Sequence, residues 1–220
     1  MRRIIRYVTN IFYKPLLVKW LSKERNYTWQ DITLRIHPQV FHPRFFFSTR
    51  ILTRYLDELP LQGKRFLEIG AGSGLISFAA CRAGADVTAS DINPIATAYL
   101  VKNREANQLP VSVIESDLFK QIPTQLFDFI AINPPYYFKT PVSWQEYAWY
   151  CGENGEFFHD LFAGLGNYIN RDSVVFMILC EGCNREQIKQ IANNAGFELE
   201  CVKTVRNLIE KNFVYQVHPQ

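Results

Sequence analysis

The sequence predicts an α/β fold with helices on both faces of a seven-stranded, mostly parallel sheet that closes on an antiparallel hairpin. Three observations lead there. From Lys64 onward, short β-branched or aromatic runs alternate with helical segments, as βαβ units require. Three alternate glycines, Gly70, Gly72 and Gly74, stand between the first run and the first helix. The last two runs are joined only by residues 205–211, too short for the crossover that a parallel connection needs, so they pair antiparallel.

In order, 65–69 reads as the first strand, 75–83 as a helix, 86–90 as the second strand, 95–107 as a helix, and 111–115 and 127–132 as the third and fourth strands. This half is a mononucleotide-binding unit. A helix at 156–169, a strand at 173–179, a helix at 185–195 and strands at 197–204 and 212–217 complete the count. The 220 residues suit one such domain, over 36–220, behind a basic, aromatic-rich extension over 1–35. Apolar positions Ile4, Val8, Ile11 and Phe12, then Leu16, Leu17, Trp20 and Leu21, recur at helical spacing around Pro15, so the extension is expected to be helical.

Composition narrows the classes. Hydrophobic residues make up 48% and charged residues 20%, enough to bury a core and unlike a disordered chain. No apolar run approaches the roughly 20 residues of a membrane-spanning helix, and no small-residue cleavage site follows the short apolar stretch between Arg6 and Lys14, so a cytoplasmic protein is expected. Five cysteines without framework spacing point to reduced thiols, and the Cys180/Cys183 pair lacks the second ligand pair of a structural zinc, so no metal is expected. Seven cations against Glu24 give residues 1–25 a charge of +6; with a total of +3, the remainder carries −3. That basic arm could pack on the domain, dock on RNA phosphates or touch a membrane surface.

The chemistry-bearing residues lie where such folds bind ligands, at the carboxyl ends of successive strands. Glu68, Gly70, Ala71, Gly72 and Gly74 form a turn in which glycine lets a ligand approach the backbone at a helix start. A dinucleotide fingerprint would want glycine at position 75, where Leu75 stands, which disfavours a dehydrogenase. Asp91 ends the second strand, and Asp117, beside Leu118, follows the third. The fourth ends in Asn133-Pro134-Pro135-Tyr136. Two oxygens, the Asn133 side chain and the Pro134 carbonyl, can accept both N–H bonds of an amino group conjugated to a planar system, while Tyr136 stacks on the plane and Pro135 fixes the loop.

With these motifs, residues 36–217 resemble class I Rossmann-like methyltransferases of the small-domain family, which includes release-factor glutamine methyltransferases and RNA base N-methyltransferases. The resemblance implies S-adenosyl-L-methionine as cofactor and S-adenosyl-L-homocysteine as product. It implies that Glu68, Gly70, Ala71, Gly72 and Gly74 face the methionine end, that Asp91 accepts from the ribose hydroxyls, that Asp117 accepts from the adenine amino group between Ile92 and Leu118, and that Asn133 borders the cofactor. The segment Phe41-His42-Pro43-Arg44, with Phe47, Ser48 and Thr49, corresponds to one that covers the cofactor and lines the substrate entrance. The methyl acceptor implied is an exocyclic base nitrogen of RNA or DNA or a glutamine amide of a translation protein, and the basic arm and the aromatic loop of Tyr136, Tyr137 and Phe138 lean toward nucleic acid. A non-catalytic, cofactor-binding scaffold that activates a partner is the alternative, against which intact Glu68, Asp91 and Asn133 stand.

Overall fold

The computed structural model describes residues 20, 22–44, 47–207 and 210–220. The two helices expected between Ile4 and Leu21 lie outside the described residues, apart from Trp20. The chain runs β1 (Arg25–Trp29), β2 (Ile32–Ile36), α1 (Phe47–Leu56), β3 (Arg65–Ile69), α2 (Leu75–Arg82), β4 (Asp86–Asp91), α3 (Pro94–Asn107), β5 (Ser112–Glu115), β6 (Phe129–Ile132), α4 (Glu156–Leu165), β7 (Val174–Cys180), α5 (Arg185–Asn194), β8 (Phe197–Arg206) and β9 (Lys211–Pro219). No described helix is long and apolar enough to cross a membrane.

The main sheet has seven strands in the order β5-β4-β3-β6-β7-β9-β8, parallel except where β9 pairs with β7 and β8. Arg206 faces Lys211 across the last hairpin, as the short connection requires. Successive side chains of a strand point to opposite faces. Phe66, Val87, Ala89, Phe129, Ala131, Phe176 and Ile178 therefore enter one core with α1, α2 and α3, while Leu67, Ile69, Ile130, Ile132, Val175, Met177 and Leu179 enter the other with α4 and α5. Burial on both faces is why these strands read as continuous apolar runs rather than alternating ones.

Two elements differ from the sequence reading. Residues 25–35, placed there in a helical extension, form with Ile36 an antiparallel hairpin. Ile32, Leu34 and Ile36 alternate inward to the first core, and the β2 edge is closed by a helix rather than by another strand. Asn103 and Asn107, one turn apart on α3, each clasp one β2 residue: Asn103 takes the Arg35 N–H at 2.8 Å and donates to its carbonyl at 3.0 Å, and Asn107 does the same for Thr33 at 2.9 and 2.8 Å. The i, i+4 rise of a helix, about 6 Å, matches the i, i+2 rise of a strand, so two carboxamides imitate a neighbouring strand. The second difference is the helix α1, which the sequence reading left as a covering segment.

Candidate functional site

Register brings the motifs together. Ile69 on β3 lies level with Ser90 on β4 and with Ile132 on β6, so Gly70, Asp91 and Asn133 are each the next residue at one edge of the sheet. The chain leaves β3 toward β4 on one side and returns to β6 on the other, which opens a crevice at that edge.

The crevice is a cavity of about 470 Å³ lined by Glu68, Gly70, Ala71, Gly72, Asp91, Ile92, Asp117, Leu118, Thr49 and the run from Asn133 to Tyr136. Two expected site residues stand apart from it. Gly74, at φ 81°, begins α2, and a Cβ there would stand 2.4 Å from Leu100 and 2.6 Å from Phe78, so its glycine serves helix packing. Phe47 turns its ring under the Arg50 guanidinium, 4.8 Å away.

The glycine turn is latched to the next strand. Gly70 and Gly72 have φ of 70° and 52°, in the left-handed region that glycine enters freely. The Gly72 N–H donates to Asp91 Oδ2 at 2.7 Å and the Asn93 N–H to Asp91 Oδ1 at 2.8 Å. Each carboxylate oxygen keeps a further lone pair for a ligand. Burial lifts the Asp91 carboxyl above its usual range, and the Asn93 and Gly72 N–H bonds pull it back. Glu68 is more enclosed: burial pushes it up to about 8, against the Ser77 hydroxyl and the Ser77 N–H at 2.8 Å, both of which donate to Oε2. Asp117 is partly exposed and pairs with Lys120 at 2.6 Å. Beside it Leu118 holds a left-handed φ of 49°, while its carbonyl accepts from the Ser116 hydroxyl at 2.8 Å. Such strain in a non-glycine residue costs about 1–3 kcal/mol and is commonly found at ligand sites.

At the other end the motif leaves β6. The Asn133 Nδ2 donates to Thr49 Oγ1 at 3.0 Å, which leaves Oδ1 for the cavity. Tyr136 is buried and packs edge-on against Tyr137 at 5.0 Å, beside Cys180 at the end of β7. The Cys180/Cys183 pair thus sits behind Tyr136, with the Cys183 thiol donating to the Cys180 carbonyl at 3.1 Å.

Sequence reasoning missed the cavity's roof. Tyr137 pairs with Tyr150 and Lys139 with Gly152, closing 140–149 into a loop that brings Thr140, Pro141, Trp144, Tyr147 and Ala148 to the cavity. Its rim exposes Val142, Trp144 and Tyr147. Lys139 reaches Glu146 at 3.6 Å inside the loop. The opposite lip is Gln39, Val40 and Phe41, tied down by the Asn93 amide donating to the Gln39 carbonyl at 3.3 Å and by Phe41 against Trp149 at 5.1 Å. The only signal in the sequence was the aromatic density of 136–150.

Glu68, Asp91, Asp117, Glu156 and Asp160 line the wall, and among the described residues lining it there is no lysine or arginine. Asp117 is paired with Lys120, Glu156 accepts from Asn154 at 3.0 Å and Glu68 keeps its proton up to about pH 8, so the lining is mildly acidic and favours a cation over an anion.

Comparison with known proteins agrees with this architecture. The family model described as methyltransferase small domain matches residues 31–145. A Methanocaldococcus jannaschii protein, provisionally named a protein N5-glutamine methyltransferase, is 33% identical over 180 residues, covering 78% of this chain and 87% of that one. The release factor glutamine methyltransferase of Lactococcus lactis is 36% identical over 110 residues, which span 49% of this chain and 40% of the enzyme. Among solved structures, the Thermus thermophilus 16S rRNA N2 G1207 methyltransferase, in complex with S-adenosylmethionine and guanosine, aligns with a TM-score of 0.63 at 18% identity, over 90% of this chain and 50% of that one.

Proposed function

Because the chain belongs to the small-domain family of S-adenosylmethionine-dependent methyltransferases, we propose that the amino group it methylates is the side-chain amide of a glutamine in a translation protein. The charge of the cavity carries this reading. A lining that is acidic on balance, with no lysine or arginine among its described residues, disfavours a phosphodiester beside the acceptor, whereas a neutral amide is indifferent to it and a cationic cofactor is favoured. The 33% identical archaeal relative, matched over 87% of its length, supports the same choice.

The residues fit S-adenosylmethionine. Asp91, with a spare lone pair on each oxygen, would take the ribose hydroxyls; Ile92 and Leu118 would flank the adenine, with Asp117 at its amino group; the turn from Gly70 to Gly72, backed by Glu68, would meet the methionine end. The cofactor supplies an electrophilic methyl group.

An amide nitrogen is a poor nucleophile because its lone pair is delocalised into the carbonyl. The Asn133 Oδ1 and the Pro134 carbonyl would accept its two N–H bonds and turn the nitrogen's π face toward the methyl donor. Positive charge grows on that nitrogen as the bond forms, and the same two oxygens, already oriented, stabilise it without reorganising. Tyr136, buried and packed against Tyr137, offers a rigid face for the amide plane.

One observation favours the second reading, a base nitrogen of RNA: the +6 charge of residues 1–25, together with the exposed rings of Trp144 and Tyr147. Incubating the protein with methyl-tritiated S-adenosylmethionine and an extract from a strain lacking it, then separating protein from RNA, decides between them. Label in protein is expected. Label confined to RNA would replace the glutamine reading by the second.

A further inference from the structure

We propose that Thr49 is a positioning residue that anchors the Asn133 carboxamide and so holds its oxygen in place for the acceptor. The inference rests on the role given to Asn133 above.

A carboxamide has two ends of nearly equal size and opposite hydrogen-bonding sense. With Oδ1 toward the acceptor, Asn133 takes an N–H; turned about, it would present its own N–H₂ group to another N–H₂ group. Asn133 lies just past the last residue of β6, Ile132, so the strand's ladder does not hold its side chain. The hold comes from 84 residues earlier, where the Thr49 hydroxyl accepts from Nδ2 at 3.0 Å and anchors that end of the carboxamide while Oδ1 is left for the acceptor.

The support of this contact is rigid. Thr49 is buried in the first turn of α1, and its carbonyl accepts from the Thr53 hydroxyl at 2.8 Å. Leu52 and Leu56, one and two turns on, are locked in the first core. The helix thereby transmits the order of the core to one hydroxyl. The substrate contact and its orienter come from different elements, so both must be in place for the acceptor to be held correctly.

Thr49→Val keeps the shape of the side chain and removes the hydroxyl, and Thr49→Ser keeps the hydroxyl. Methyl transfer to the protein fraction should fall about 10-fold in kcat for Thr49→Val, since misorientation of a positioning group readily costs that much or more, with the S-adenosylmethionine Kd within about twofold of wild type. Thr49→Ser should recover most of the rate. The double variant Thr49→Val with Asn133→Ala should be no slower than Asn133→Ala alone, because an orienter has nothing left to orient. Wild-type kcat in Thr49→Val would overturn the inference. So would a rise in cofactor Kd that matches the loss in rate, a Thr49→Ser variant no faster than Thr49→Val, or multiplicative losses in the double variant. Failure of the glutamine reading looks different: wild-type label would then appear in RNA, and the same four variants would be compared with wild type on that label.

Discussion

Asp91 both shapes the glycine turn and, on this account, holds the cofactor ribose, and Asp91→Asn separates the two roles. Its carboxylate takes the Gly72 N–H at 2.7 Å and the Asn93 N–H at 2.8 Å. Asparagine keeps one acceptor oxygen and turns an N–H₂ group toward the other backbone N–H, so about one charge-assisted bond is lost, on the order of 1.5–3 kcal/mol. Part of that returns, because burial already disfavours the ionised carboxylate and lifts its pKa. A net loss of about 1–2 kcal/mol lowers Tm by about 2–8 °C in a chain of this size. The ribose contacts add a second, independent loss of about 1–3 kcal/mol, or roughly 5- to 150-fold in Kd. Calorimetric titration with S-adenosylmethionine reads the second loss, and melting without cofactor reads the first. A lowered Tm with unchanged affinity would show Asp91 to be a latch for the turn and nothing more, and would remove it from the cofactor site.

Glu68 bears on pH. Its folded pKa is raised from 4.5 to about 8, so the native state keeps a proton that the unfolded state releases, and stability falls as pH rises across that window, by about 1.4 kcal/mol per unit at most. Glu68→Gln should therefore flatten the decline in Tm between about pH 5 and pH 8; an unchanged slope would show the carboxyl to be ionised throughout. Trp144→Ala, on the exposed rim of the roof, should raise the KM for the protein acceptor several-fold with the cofactor Kd unchanged. A rim that does not touch the acceptor would leave both constants alone.

The sheet was legible because its strands are buried on both faces: β3, β4, β6 and β7 present short, dense apolar runs, and β8 and β9 betray their pairing by the length between them. The crevice followed from register, since motifs at strand ends must converge once the strands are parallel. What escaped depends on contacts across long stretches of sequence. The hairpin β1–β2 is completed by Asn103 and Asn107, side chains whose partners no local pattern reveals. Thr49 was named with the covering segment, but that its hydroxyl meets Asn133, 84 residues away, is a contact no local pattern reveals. Gly74 was assigned to the ligand turn for its spacing, and the closeness of Leu100 and Phe78, which adds a packing reason for glycine, could not be read there. The basic arm drew the sequence reading toward nucleic acid because charge is countable in a sequence and the sign of a cavity is not. The acidic lining became visible only when Asp117, after β5, and Glu156 and Asp160, one turn apart on α4, came together from two separate segments.

The most direct test of the central claim is tandem mass spectrometry of the protein labelled in the deletion-strain extract, comparing wild type with Asn133→Ala at saturating S-adenosylmethionine. The account predicts a single added methyl group on a glutamine side-chain nitrogen, formed about 100-fold more slowly by the variant, because Asn133 acts on the acceptor in the transition state. A methyl group on any other side chain, or on glutamine at the same rate in both proteins, would contradict it.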